Sequence, residues 1–129
     1  MKGSEFLVKE PKLDEVFVYE DFNEEQMMMY KATKDFIQNE ILTNIEKIEK
    51  QEGTLVEDIL RGAGELGLLG VSIPENLNGL GMSFNTSMLI ADIIGIAGSF
   101  GTTYGAHTGI GTLPILYYGT EEQKKKYIP

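Results

Sequence analysis

Cysteine and tryptophan are absent from this sequence, and histidine occurs once, as His107, among 129 residues. Without cysteine there can be no disulfide, no thiol nucleophile and no zinc site with cysteine ligands. A single histidine without clustered carboxylates supplies no ligand set either, so we expect no metal ion. Long apolar runs are also missing, since none approaches the roughly 20 residues that span a membrane. These absences exclude thiol catalysis, disulfides and zinc sites with cysteine ligands, they give no sign of a membrane span, and they favour a globular domain.

Basic residues are few, because 11 lysines and arginines face 20 aspartates and glutamates, which gives a formal net charge of −9. Such a surface repels the phosphates of nucleic acids and of anionic lipids, so we expect neither as a partner. The first residues contain neither the apolar core of a signal peptide nor the arginine-rich pattern of a transit peptide. We therefore expect a cytoplasmic protein.

Helical periodicity dominates what is present. Apolar residues recur at three, four and seven positions between Met27 and Ile48, which predicts an amphipathic helix of about 27 residues that ends at Gly53. Three pairs have the spacing of a capping box, in which two residues cap each other at a helix start: Asn23 with Gln26, Thr54 with Glu57, and Thr120 with Gln123. The pattern predicts an all-α bundle of five or six helices over residues 23–129. Residues 1–22 form an N-terminal extension, in which the alternation at 16–20 predicts a short extended segment.

A literal G-x-G-x-x-G motif occurs at residues 62–67. A dinucleotide site needs a strand before this motif and a helix opening after it. Here the preceding residues have helical spacing, so we interpret these glycines as part of a helix end. The loop that follows contains Pro74, Asn78 and Gly79, residues typical of turns. We expect it to connect helices and to bind no phosphate.

Two features at residues 95–111 are candidates for chemistry. His107 has no acidic residue near it in sequence, since none lies between Asp92 and Glu121, and a catalytic triad needs a carboxylate to orient the histidine. A structural role for His107 is therefore favoured. Gly101, Gly105 and Gly109 are spaced by four and lie on one helix face, although glycine costs a helix about 1 kcal/mol relative to alanine. Either a neighbouring helix or a long, thin ligand could approach that face.

Two segments now resemble a known family. AGELGLLGVSIPENLNGLGMS (63–83) and AGSFGTTYGAHTGIGTLPILYYGTEEQKKKYIP (97–129) are similar to the N-terminal helical domain of acyl-CoA dehydrogenases, and the resemblance covers about residues 20–129. KGSEFL (2–7), GAH (105–107) and GIGTLPI (109–115) are most similar to the very-long-chain branch. LNGLG (77–81) departs from the family, which has two adjacent glycines there. Asn78 tolerates the left-handed backbone that this position requires.

The resemblance implies an FAD enzyme that introduces an α,β double bond into a fatty acyl-CoA in fatty acid β-oxidation. In that family a glutamate base removes the α-proton, a hydride passes to the flavin, and an electron-transfer flavoprotein takes the electrons. A middle β-domain and a C-terminal helical domain supply the glutamate and the FAD contacts, and this chain contains neither domain. We therefore expect no catalytic and no cofactor-binding residue in this chain, which alone would be inactive.

The family's N-terminal helices form part of the wall around the acyl chain, which favours a ligand slot beside the glycines. The resemblance thereby implies five substrate-binding residues: Gly98, Ser99, Thr102, Thr103 and Tyr104. Replacing Thr103 with phenylalanine is then expected to shorten the preferred acyl chain. The full-length enzyme is expected to form a homo-oligomer. Two alternatives stay open: a stand-alone helical interaction module, and a relative that acts as an acyl-CoA oxidase or an assembly factor.

Overall fold

The computed structural model describes residues 5, 7–10 and 12–129, and all regular structure in that part of the chain is helical. Residues 24–49 and 99–118 are each helical throughout, which leaves five continuous helical segments. The α-helices are α1 (Glu24–Phe36), α2 (Ile45–Glu49), α3 (Leu55–Glu65), α4 (Phe84–Ile94), α5 (Ser99–Gly105), α6 (Thr112–Tyr118) and α7 (Glu121–Tyr127). The prediction of an all-α bundle is confirmed.

Two of these segments contain a π-helical stretch, in which one extra residue is accommodated within the turn. Ile37–Ile41 and the 3-10 turn Leu42–Asn44 join α1 to α2, and Ala106–Gly111 joins α5 to α6. Such stretches rotate the following residues relative to a regular helix. The predicted first helix is therefore continuous over its predicted length but not regular.

The N-terminal extension has little extended structure. Val16 and Val18 have extended backbone angles, but Leu13–Glu15 and Tyr19–Asp21 close into 3-10 turns on either side. The extended segment is therefore limited to residues 16–18. The ring of Phe17 packs edge to face against the ring of Phe22, with 4.9 Å between the ring centroids. Residues 1–4, 6 and 11 lie outside the described part, and so does most of the KGSEFL similarity. The division at residue 22 stays a prediction.

Apolar side chains from α1 to α5, and from the segments that connect these helices, form one core. Ile37, Ile41 and Ile48 from the first helical segment are fully buried, as the periodicity predicts, and Phe100 of α5 is 0% exposed. The complete cluster is Phe36, Ile37, Ile41, Ile48, Ile59, Ala63, Leu68, Val71, Ile90, Ile93, Ile94, Ala97, Phe100 and Tyr104. No helix in the described residues is long and apolar enough to cross a membrane.

Two of the three predicted capping boxes form. The Asn23 side chain accepts a hydrogen bond from the Gln26 amide at 2.9 Å, and the Gln26 side chain accepts one from the Asn23 amide at 3.0 Å. Thr120 and Gln123 do the same at the start of α7. The prediction for Thr54 and Glu57 is wrong. The backbone of Thr54 has ψ 15° rather than an extended angle, and its hydroxyl donates to the carboxylate of Asp58 at 2.9 Å.

The loop between α3 and α4 is built from turns, as predicted. Gly67 (φ +76°) and Asn78 (φ +64°) both adopt the left-handed conformation. Gly62 and Gly64 lie inside α3, and Gly67 follows its end. The G-x-G-x-x-G motif therefore belongs to a helix end, and its backbone has no nucleotide-binding turn. After the loop, α4 is joined to α1 by a polar contact, in which the buried side-chain amide of Gln26 donates to the hydroxyl of Thr86 at 2.8 Å.

Candidate functional site

A cavity of about 700 Å³ opens between α4, the helical segment 99–118 and the loop 68–82. Its wall contains apolar side chains, glycines, hydroxyl groups and no charged residue among the described residues that line it. Met88, Ala91 and the buried Ile94 line it from α4, and Tyr117 lines it from α6. An apolar cavity of this volume is in the range of small-molecule sites. Its chemistry suits an uncharged, apolar ligand, because nothing in the wall would pair with a charge.

The three glycines spaced by four have two different surroundings. A Cβ on Gly101 would lie 3.1 Å from the carbonyl oxygen of Ile94, so this glycine allows α5 to approach the end of α4. A Cβ on Gly105 or Gly109 would meet nothing within 4 Å, and both residues line the cavity. The two interpretations of the glycine face therefore apply to different residues: helix contact at Gly101, and open space at Gly105 and Gly109.

The five predicted substrate-binding residues also fall into two groups, those that line the cavity and those that do not. Gly98, Thr102 and Tyr104 line the cavity. Ser99 and Thr103 are outside the cavity lining, although both belong to α5. The hydroxyl of Thr103 points back along the helix and donates to the carbonyl of Ser99 at 3.5 Å. Binding of substrate by any of the five stays a prediction.

Tyr104 connects the cavity wall to the loop opposite. Its hydroxyl donates to the carbonyl oxygen of Leu68 at 2.7 Å, and the side chain is 8% exposed. Burial disfavours the charged phenolate, which raises the pKa of Tyr104 to about 12. The residue therefore stays protonated at neutral pH and holds the last turn of α5 against residue 68.

At the other end of α5, Ser99 is held by a residue that the sequence did not single out. The Glu49 carboxylate accepts a hydrogen bond from the Ser99 amide at 3.0 Å. This backbone hydrogen bond, and then the Ser99 side chain, hold the pKa of Glu49 below its ordinary value. Gly98 lies beside this contact with a left-handed φ of +58°.

In the sequence, the only signal of the cavity residues of α4 is the helical spacing of apolar residues. Met88, Ala91 and Ile94 are spaced by three, which is typical of a helix face. That face borders the cavity, and its last residue, Ile94, also belongs to the core cluster. The hydroxyl of Ser87 is buried in the same wall and has no hydrogen-bond partner. Nothing in the sequence distinguishes this face from the core face of α4.

His107 lies apart from the cavity. It is exposed, belongs to the π-helical stretch Ala106–Gly111, and borders a second cavity of about 280 Å³ together with Asn78, Thr112 and Tyr127. Within the described residues no three histidine or carboxylate groups are arranged to hold a metal ion. Neither Glu65 nor Asp92, both exposed, lines either cavity. No aspartate or glutamate is among the described residues that line this second cavity with His107, and a catalytic triad needs a carboxylate to orient the histidine.

Comparison with known proteins gives one consistent result. The family model described as acyl-CoA dehydrogenase, N-terminal domain, matches residues 23–129. The chain is 45% identical over 128 residues to a probable acyl-CoA dehydrogenase of Bacillus subtilis (strain 168), which is 99% of this chain and 22% of the relative. It is 41% identical over 87 residues to the mitochondrial very long-chain specific acyl-CoA dehydrogenase of Rattus norvegicus, which is 67% of this chain and 12% of the relative.

A solved structure is similar over the whole chain. It is an acyl-CoA dehydrogenase complexed with FAD from Bacillus anthracis, with a TM-score of 0.93 and 50% identity over 100% of this chain and 22% of that one. The chain therefore spans about a fifth of the length of these two bacillus relatives.

Proposed function

Because the chain belongs to the acyl-CoA dehydrogenase N-terminal domain family, we propose that it forms the helical wall of the acyl-chain pocket in a longer FAD-dependent acyl-CoA dehydrogenase. The observation that carries this proposal is the uncharged cavity of about 700 Å³ between α4 and residues 98–117. An acyl chain is apolar, long and thin, and its burial is favourable in such a wall. The open positions at Gly105 and Gly109 leave room along the helix for a long-chain substrate.

The chain itself does not supply the chemistry of the reaction. Gly62 and Gly64, the only part of its sequence that resembles a nucleotide motif, have helical backbone inside α3. Helical backbone differs from the strand-to-helix turn that holds phosphates in nucleotide-binding proteins, which supports a flavin site elsewhere. We infer that the flavin, which accepts the hydride, and the glutamate base belong to parts of the longer protein outside this chain. An electron-transfer flavoprotein as electron acceptor, a homo-oligomeric state, a role in fatty acid β-oxidation and a cytoplasmic location stay predictions.

Reduction of the flavin tests the proposed activity. The full-length protein that carries this chain should be yellow, and its visible absorption should bleach when palmitoyl-CoA is added without oxygen. A colourless protein would contradict the proposal and favour a helical interaction module. A yellow protein that acyl-CoA does not bleach would favour a relative that is not a dehydrogenase, and rapid reoxidation of the bleached flavin by air would favour an oxidase.

Two neighbouring threonines test the place of the acyl chain. Thr102 lines the cavity and Thr103 does not, so the substitution that the sequence places at Thr103 is better made at Thr102, with Thr103 as the matched control. In the full-length enzyme Thr102→Phe should lower kcat/KM for long acyl chains by roughly tenfold or more relative to short ones, a size typical of pocket selectivity. Thr103→Phe should leave the ratio between long and short chains unchanged. Equal effects of the two substitutions would place the acyl chain elsewhere.

A further inference from the structure

We propose that Glu49 is a positioning residue, which holds the first turn of α5 in place and thereby sets the width of the cavity at Gly98 and Thr102. The inference rests on the proposed function in one respect, since it takes the ligand of the cavity to be an acyl chain. Glu49 itself is exposed and does not line the cavity. Its effect on the ligand is therefore indirect.

The contact joins two distant parts of the chain. Oε1 of Glu49, the last residue of α2, accepts the hydrogen bond from the Ser99 amide at 3.0 Å, across 50 residues of sequence. The first amides of a helix lack partners within the helix, and a carboxylate there is stabilised by the helix dipole. No side chain of α5 itself caps this end, because its N-cap residue is Gly98. The cap therefore comes from another helix, and it fixes where α5 begins relative to α2.

Gly98 has no side chain, and this leaves space for the carboxylate of Glu49. Its φ of +58° and ψ of −137° are strained for residues with a side chain. A Cβ at this position would lie 2.7 Å from Oε1 of Glu49 and 3.1 Å from Cδ1 of Ile45. The backbone conformation therefore favours glycine here, and a side chain at this position would also displace the carboxylate of Glu49. The backbone turn and the carboxylate contact form one unit at the start of α5.

This unit adjoins the cavity wall. Gly98, Gly101 and Thr102 belong to the turn that Glu49 caps, and all three line the cavity. The far end of α5 is held independently by the bond from the Tyr104 hydroxyl to Leu68. These two hydrogen bonds therefore hold α5 at both ends, to α2 at Ser99 and to residue 68 at Tyr104. Without the Glu49 contact, the end at Gly98 loses its side-chain cap, and we expect the width of the cavity to change there.

The test compares three variants in the full-length protein. Glu49→Ala removes the acceptor, and it leaves no buried void because the side chain is exposed. Glu49→Gln keeps an oxygen that can accept from the Ser99 amide. Glu46→Ala is the matched control, because Glu46 lies on the same helix, is exposed, and pairs only with Lys50 at 4.0 Å among the described contacts. Two quantities are measured: hydrogen exchange of the amides of α5, and kcat/KM as a function of acyl chain length.

We expect Glu49→Ala to raise the exchange rate of the α5 amides about fivefold, the factor for loss of a helix cap. The chain-length profile should broaden or shift in the same variant. Glu49→Gln should restore both quantities towards wild type, and Glu46→Ala should change neither. Glu49→Asp gives a second test, because it keeps the charge but draws the carboxylate back by one methylene. It should raise exchange as Glu49→Ala does.

Unchanged exchange in Glu49→Ala, or an equal change in Glu46→Ala, would overturn the inference. Raised exchange with an unchanged chain-length profile in an active enzyme would also overturn it, since the cap would then not govern the cavity. Failure of the proposed function has a different signature. In that case the wild-type protein would not oxidise any acyl-CoA, whatever the exchange rates of the variants.

Discussion

The two faces of α4 carry similar apolar side chains and have different surroundings. On one face Leu89, Ile90 and Ile93 are 6%, 1% and 6% exposed, and they pack in the core. On the other face Phe84 and Met88 are 71% and 49% exposed and border the cavity. The side chains on the core face are buried by other residues of this chain. The cavity face has apolar surface that no described residue covers, which is expected of a wall built for a ligand or for another part of a protein.

One substitution on the core side and one on the cavity side test this contrast, and the expected effect is the largest of the predictions. Phe100 is 0% exposed on the core side, and Phe100→Ala should lower the free energy of unfolding by about 3–5 kcal/mol, the range for a large buried ring. Met88→Ala on the cavity side should change it by about 0.5 kcal/mol or less, as for surface positions. Urea unfolding of the two variants measures both. Similar losses would show that the cavity face is packed in solution.

Tyr104 lies at the border between the two regions, and its loss should have an intermediate effect. Tyr104→Phe leaves the buried carbonyl of Leu68 without its hydrogen bond, which should cost about 1–3 kcal/mol. The pKa of Tyr104 in the folded protein is raised from 10.0 to about 12. Since the folded state holds the proton more tightly, this stabilisation is complete below pH 10 and is lost as the pH rises towards 12.

Thermal unfolding between pH 8 and pH 11 measures that loss. The wild-type protein should lose more stability than Tyr104→Phe over this interval, because the variant has no phenol to ionise at this position. Equal slopes for the two proteins would show that the Tyr104 hydroxyl is exposed to water in solution. They would thereby contradict the assignment of this residue to the border of the core.

The two kinds of glycine give the smallest expected effects and the sharpest comparison. Gly101→Ala places a Cβ 3.1 Å from the Ile94 carbonyl oxygen, so α5 must move away from α4 and stability should fall. Gly105→Ala meets nothing within 4 Å and should stabilise the helix by up to about 1 kcal/mol. The melting temperatures of the two variants, compared with wild type, show whether each substitution stabilises or destabilises the protein. Opposite signs support the division between contact and open space, and two losses would contradict it.

The fold could be predicted from the sequence because its signals are local. The Asn23 and Gln26 pair and the spacing of Ile37, Ile41 and Ile48 depend on residues within a few turns of each other. The Thr54 prediction failed for an equally local reason. Its hydroxyl has Asp58 as an alternative partner four residues on, and the backbone of Thr54 is not extended.

The details of the candidate site could not be predicted, since they depend on distant contacts. Whether Thr102 or Thr103 faces the cavity is set by the rotation of α5 about its axis. α5 is positioned by contacts between residues far apart in sequence, such as the contact between Glu49 and Ser99 across 50 residues. In the same way, no local pattern tells that Met88 faces a cavity and Ile90 the core.

The most direct test of the proposed acyl-chain pocket is to find where a bound acyl chain lies. A long-chain acyl-CoA with a photoreactive diazirine at the end of its chain would be bound to the full-length protein, irradiated, and the labelled residues identified by mass spectrometry. Labels are expected on the cavity wall, at residues such as Met88, Ala91 and Thr102, and unlabelled palmitoyl-CoA should compete with the labelling. Competed labelling confined to residues outside residues 68–117 would contradict the proposed pocket.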